Sequence, residues 1–277
     1  MTFIIRNAGR LRLLLVAAAL GAACLLPTAC GDEEAAGEPT VTAAPTEEAV
    51  QPSPGPAEGR EWSFRGQRGI TAAFAPADLA LYRSLLPAPF DMPEEPLVAV
   101  SVVYYYDVTA PLTPYREGYV VLQCQYQGRT GWYVLTMPVD DEMANAGGRF
   151  LGFPKYVADR IELEEADGVW SGRVVYQGRT VMALTFTPEP GSEPVTASSA
   201  VGGPSIFLLV PPAEGPQVNE IGFDLAVEQR TVTTSGSTTV EADPGEPWAG
   251  LLPPGDGPLW GTFEEKTGDW ILVATQP

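Results

Sequence analysis

Imine chemistry needs a lysine, and this chain of 277 residues has two, Lys155 and Lys266. All but these two of its 16 basic side chains are arginine. Arginine replaces lysine as a surface cation, but its guanidinium does not deprotonate and cannot condense with a ketone. Lys155 persists in Gly152-Phe153-Pro154-Lys155-Tyr156, an apolar setting just after a proline. It is either a surface cation on a loop or a nucleophile. Free lysine has a pKa near 10.4, so only about one side chain in 2,500 is neutral at pH 7. Lowering that value to ~7–8 asks for roughly 3–5 kcal/mol of differential stabilisation, from burial or from a second cation. Phe150, Leu151, Phe153 and Pro154 around Lys155 suit the burial route.

What is missing narrows the chemistry further. With no histidine there is no Ser-His-Asp triad, no Cys-His dyad and no histidine-ligated metal. The three cysteines, Cys24, Cys30 and Cys124, cannot build a disulfide framework or a four-cysteine metal site. Cys124 reads as a small buried hydrophobe. Asp140-Asp141-Glu142 and Glu162 to Asp167 follow no calcium-loop pattern and read as solvated turns, so no metal is expected. A net charge of −19 argues against a nucleic-acid partner.

Residues from Trp62 onward must hold Lys155 in place, and they read as short β-runs broken by turns. Glycine and proline, 29 and 28 residues, disfavour long helices. The spacing predicts a helix over Pro76–Leu86, opened by Asp78 and ended by Pro87 and Pro89. A long strand over Leu97–Val108 puts Tyr104 and Tyr106 on one face and Tyr105 on the other. A hairpin is expected over Tyr119–Tyr126 and Gly131–Met137. Its turn, Tyr126-Gln127-Gly128-Arg129-Thr130, recurs as Tyr176-Gln177-Gly178-Arg179-Thr180, shared turn chemistry rather than a repeat architecture. Trp248, Trp260 and Trp270 read as aromatic packing of a loop-rich tail. Many strands with one or two short helices give a mainly β domain over 62–277, a closed antiparallel barrel or a sandwich.

Three segments together resemble the acetoacetate decarboxylase-like family. They are Asp78-Leu79 through Pro87-Ala88-Pro89 with Glu95-Pro96-Leu97-Val98; Tyr115-Arg116-Glu117-Gly118; and Gly148-Arg149-Phe150-Leu151-Gly152-Phe153-Pro154-Lys155. The resemblance implies a closed antiparallel β-barrel with Lys155 in an apolar cavity. It also implies a Schiff base between that lysine and a small β-keto or 2-oxo acid, with decarboxylation through the iminium. Relatives use the same imine for aldol-type and dehydration chemistry. No cofactor is implied, and the resemblance leaves room for a homo-oligomer. Glu117 keeps the family's acidic position, as a proton relay or as a turn carboxylate in water. Arg68, or Gln67 beside it, falls at an arginine that would meet an anionic substrate. Phe153, Tyr156, Tyr104 and Tyr106 are the candidate walls of the substrate cavity. Two positions depart from the family: Tyr156 stands where the decarboxylase has a second lysine, and Ser101 where it has a second carboxylate. A small-molecule-binding protein on the same barrel is the reading from a different class.

The N-terminus reads as an address. Arg6, Arg10 and Arg12 precede an apolar run, Leu13 to Leu26, shorter than a span of about 20 residues. Leu26-Pro27-Thr28-Ala29-Cys30-Gly31 resembles a bacterial lipobox, with Cys30 as the lipidated residue and Cys24 as an alternative. Residues 1–30 are then a lipoprotein signal peptide. Residues 31–61 are acidic, rich in proline and free of aromatics, a composition expected of a disordered tether. The expectation is an extracytoplasmic domain anchored to the membrane through an N-terminal lipid.

Overall fold

The computed structural model describes residues 63–199, 206–210, 217–225, 229–255 and 259–275. Cys24, Cys30 and the expected leader and tether lie outside the described residues. The element order is β1 (Ser63–Phe74), α1 (Leu79–Leu85), β2 (Val98–Val108), β3 (Tyr115–Tyr126), β4 (Arg129–Val139), α2 (Glu142–Leu151) and β5 (Lys155–Val157). There follow β6 (Arg160–Ala166), β7 (Val169–Tyr176), β8 (Arg179–Pro188), β9 (Val195–Ser199), β10 (Ile206–Val210), β11 (Gln217–Leu225), β12 (Gln229–Ala242), a single 3-10 turn (Ala249–Leu251) and β13 (Leu259–Thr275).

These strands form one sheet in the order β1-β2-β3-β4-β10-β11-β13-β12-β8-β7-β6, with β5 added to β4 and β9 to β12. β1 is paired on both sides, with β2 and with β13, which curls the sheet. The protein is thus mainly β with two helices. The expectation of a closed antiparallel barrel is corrected to an open half-barrel. The sheet runs on past β13 to the edge strand β6, and β4 pairs in parallel with both β5 and β10.

Local chemistry explains the punctuation. Asp78 caps α1 by accepting from the Leu81 amide at 2.8 Å. Both copies of the repeated turn have positive φ at their central pair, Gln127 (49°) with Gly128 (75°) and Gln177 (50°) with Gly178 (71°). That backbone matches the twist of the flanking strands, so each closes a tight hairpin. The Asp140-Asp141-Glu142 cluster is not a solvated turn. Asp141 caps α2 through the Ala144 amide at 2.7 Å, and Asp140 accepts from the Arg116 amide at 2.6 Å.

Alternation along the strands sorts the side chains onto two faces. On one, Ile70, Val100, Val102, Val120 and Leu122 meet Val174, Met182, Leu184 and Phe186 in the largest core, which also holds Cys124 and Trp248. Burial pushes the Cys124 thiol up to about 12, as suits a packing residue. The opposite face is enclosed by the curl. There Ala73, Ala99, Val121, Val134 and Phe153 pack against Leu208 of β10 and Ile221 of β11. A smaller cluster on Phe64, Leu112, Tyr115 and Val139 lies further along. Between these two apolar clusters the inner face turns polar, at Thr71, Ser101, Glu117, Thr262 and Glu264. No helix among the described residues is long and apolar enough to cross a membrane.

Candidate active site

Lys155 reaches the inner face because of how α2 ends. Gly152 adopts the left-handed conformation (φ 96°), which glycine enters without steric cost. The Phe153 amide then donates to the Gly148 carbonyl and the Gly152 amide to that of Arg149, both at 3.0 Å. This double bond pattern satisfies the last helical carbonyls and reverses the chain. Pro154 keeps Phe153 extended, and the Lys155 amide closes a three-residue turn onto the Phe153 carbonyl at 2.8 Å. Lys155 then pairs with Met137 as the first residue of β5.

Its side chain is buried at 7% exposure, as is that of Glu117 at 4%. Lys155 Nζ donates to Glu117 Oε2 at 2.8 Å, and the Tyr105 hydroxyl donates to Glu117 Oε1 at 2.9 Å. Both carboxylate oxygens are therefore held. Tyr105 stacks on Tyr115 with ring centroids 4.9 Å apart. The ammonium lies 5.3 Å from the Tyr115 ring and 5.8 Å from the Phe153 ring. Burial first, and the Glu117 carboxylate second, push both phenols well above their usual range, so Tyr105 stays a donor. Gly148 leaves the room: a Cβ there would come within 2.3 Å of Lys155 Cδ and 2.5 Å of Cε.

The arrangement joins a buried amine to a carboxylate within proton-transfer distance. Before the ammonium can attack a carbonyl it must lose a proton, and Glu117 is the acceptor in contact with it. Among the described residues no three cysteine or acidic side chains converge as a metal site requires.

Lys155, Glu117 and Phe153 are thus brought together, while other candidates are not. Arg68, Tyr104 and Arg116 are mutual strand partners one residue out of phase with Glu117, which puts them on the opposite face. There the Arg68 guanidinium lies between Tyr104 and Trp170, at 5.6 and 5.4 Å from their rings. Tyr106 shares that face and donates to Glu265. Tyr156 turns away from its neighbour Lys155, packs at a tilt against Tyr176 with ring centroids 4.6 Å apart and bonds Thr136. Phe150 and Pro154 are exposed, so the apolar wall beside Lys155 comes from Phe153 and Tyr115 instead. Tyr105 was not singled out for the site; its phase, opposite to that of Tyr104, was the available signal.

Further along the inner face, Ser101 and Thr71 share a hydrogen bond at 2.6 Å, and the Tyr119 hydroxyl bonds both. Ser101 therefore belongs to a hydroxyl cluster. Lys266, the other lysine, pairs with Glu264 at 3.2 Å on the same face, and sequence reasoning assigned neither of them a role.

Comparison with known proteins agrees with this fold. The acetoacetate decarboxylase 3 of Mesorhizobium japonicum is 32% identical over 144 residues, half of this chain and 54% of that protein. The chain spans about a third to about half of the length of the curated relatives it matches. A solved acetoacetate decarboxylase superposes with a TM-score of 0.62 at 18% identity, over 78% of this chain and 90% of that one. The enduracididine biosynthesis enzyme MppR, solved in complex with pyruvate, gives 0.59 at 16% identity over the same shares. At these identities the structures speak for the fold. The family model described as acetoacetate decarboxylase (ADC) matches residues 44–253, about three quarters of the chain, and the protein belongs to that family.

Proposed function

We propose that this protein is a carbon–carbon lyase that acts on a small β-keto or 2-oxo acid through a Schiff base at Lys155. The observation that carries this reading is the buried Lys155–Glu117 pair, 2.8 Å apart on the enclosed face of the sheet. An ion pair kept from water is costly to maintain and is weak support for stability by itself, so a role in proton transfer fits it better. Glu117 takes a proton from the ammonium, and the amine attacks the ketone carbon. Water leaves and an iminium forms. For a β-keto acid, the carboxylate carbon–carbon bond then breaks, carbon dioxide departs, and the electron pair enters the iminium to give an enamine. A proton returned to carbon and hydrolysis by water release the ketone and the free lysine. Tyr105 holds Glu117 in position throughout.

The test is reductive trapping. The protein is incubated with acetoacetate or pyruvate, borohydride is added and intact mass is measured. An adduct that disappears in Lys155→Arg is the expected result. Failure of every acid in a keto-acid panel to give an adduct would remove the imine. Trapping without carbon dioxide release would move the assignment to aldol or dehydratase chemistry. A binding protein on the same fold is the second reading, favoured by Tyr156, an uncharged residue directly after Lys155 that packs on Tyr176.

The address read from residues 1–61 completes the proposal: an enzyme tethered outside the cytoplasm by lipid on Cys30. Mass spectrometry of the membrane-extracted protein is expected to find a chain beginning at an acylated Cys30. A chain beginning elsewhere, without lipid, would rule the anchor out.

A further inference from the structure

The chain's two lysines lie on one face of one sheet, each against a glutamate. Glu264 of β13 is opposite Gly69 of β1, Gly69 is opposite Val103 of β2, and Val103 is opposite Glu117 of β3. At about 4.8 Å per strand, the two glutamate backbones are roughly 14 Å apart along the sheet, and its curl turns their side chains toward each other. Tyr119 is two positions beyond Glu117 on the same face of β3. Burial raises its phenol, and the carboxylates of Glu117 and Glu264 both add to that shift.

The two pairs differ in one respect. Glu117 has a donor on each oxygen, Lys155 on Oε2 and Tyr105 on Oε1. Glu264 has Lys266 on Oε2, while its Oε1 is buried with no hydrogen-bond partner among the described residues. Two positions back on the same face, Thr262 Oγ1 is likewise buried and without a partner. Glu264 is 7% exposed and Thr262 1%. A purely structural buried pair has its remaining lone pairs satisfied, because an unmet buried acceptor is costly. Two unmet oxygens beside the Thr71–Ser101–Tyr119 hydroxyls call for something that donates to them.

We propose that Glu264 and Thr262 form a distal subsite of the Lys155 site, and that its keto acid carries a hydrogen-bond donor, a hydroxyl or ammonium group, at the end remote from the carbonyl. This rests on the imine reading for the near end of the ligand. Lys266 holds Glu264 in place and keeps the subsite close to neutral overall. Burial pushes the Glu264 carboxyl above its ordinary range while Lys266 opposes the shift, so Glu264 binds a donor without a large uncompensated charge.

Two acids of one length test it, 2-oxohexanoate and 6-hydroxy-2-oxohexanoate. In borohydride trapping the hydroxylated acid is expected to reach half-maximal adduct at a concentration at least about tenfold lower. That ratio is expected to fall toward one in Glu264→Met and in Thr262→Val. Should the single variant of Glu264 fail to fold, Glu264→Met with Lys266→Met removes the pair together. Equal trapping of the two acids by the unaltered protein overturns the proposal, as does a preference that survives both substitutions. If neither acid is trapped, calorimetric binding separates the two ideas. A preference for the hydroxylated acid that is lost in Glu264→Met retains the subsite and removes the imine. Equal or absent binding of both acids removes the subsite as well.

Discussion

Glu117→Leu is expected to destabilise the protein by about 3–5 kcal/mol, the largest stability loss of any single change at the site. The substitution leaves the Lys155 ammonium buried at 7% exposure with no carboxylate, and it also strips the Tyr105 hydroxyl of its acceptor. The magnitude reflects an uncompensated charge rather than the net worth of the pair. Glu117→Leu combined with Lys155→Met should therefore recover most of the loss, and denaturant unfolding of the two variants measures the difference. Recovery of less than a third would mean that Glu117 stabilises the fold by a route other than Lys155. Glu117→Gln separates structure from chemistry. The amide keeps the shape and still accepts from Lys155, but it cannot take up a proton. Turnover of a trapped keto acid is expected to fall by about 10²–10⁴-fold with little change in unfolding. Unchanged turnover would remove the proton-relay role and leave Glu117 as a counter-ion.

Gly148→Ala is the second change with a large expected effect, and it acts without removing any polar group. The added methyl would sit 2.3 Å from Lys155 Cδ and 2.5 Å from Cε, well inside contact distance. The lysine chain must move, but its far end is tied to Glu117 and walled by Phe153 and Tyr115. Overpacking of this kind costs about 1–3 kcal/mol, which a folded domain survives. Misplacing Nζ by an ångström is more serious for reaction, and the trapping rate is expected to drop at least about 100-fold. Wild-type trapping by a folded Gly148→Ala protein would show that the lysine need not sit where the structure has it.

Gly148 also marks where the sequence was readable and where it was not. The segment from Gly148 to Lys155 was legible as the candidate for chemistry, yet its helix was not. Asp140-Asp141-Glu142 was expected to be a solvated turn, although Asp141 is a helix cap. Glycines at 147 and 148 lower helix propensity, and tertiary packing against Lys155 overrides that preference. The hairpin turns were legible because positive φ at Gln127-Gly128 and Gln177-Gly178 is a local requirement, met by local residues. Asp78 was legible for the same reason.

The face of each strand was a different problem. Period-two alternation separates Tyr105 from Tyr104 and Tyr106, but it does not say which set points to the lysine. The fold chose Tyr105 and put Arg68, Tyr104 and Tyr106 on the other side. Sheet curvature, too, arises from pairings between strands far apart in the chain, such as β1 with β13, and no window of sequence contains it.

The amino-acid sequence alone determined that Lys155 was the residue to examine, that Glu117 was a candidate acidic group for the same site, that histidine chemistry and a cysteine-built metal or disulfide framework were excluded, and that the domain was mainly β. These follow from composition, local turn chemistry and short motifs. Only the tertiary structure decided that Lys155 is buried, that both oxygens of Glu117 are held, and that Lys266 and Glu264 stand on the same inner face. Burial and ion pairing depend on side chains brought together from β3, β5 and β13, and contacts of that range come into being only when those distant strands join one curled sheet.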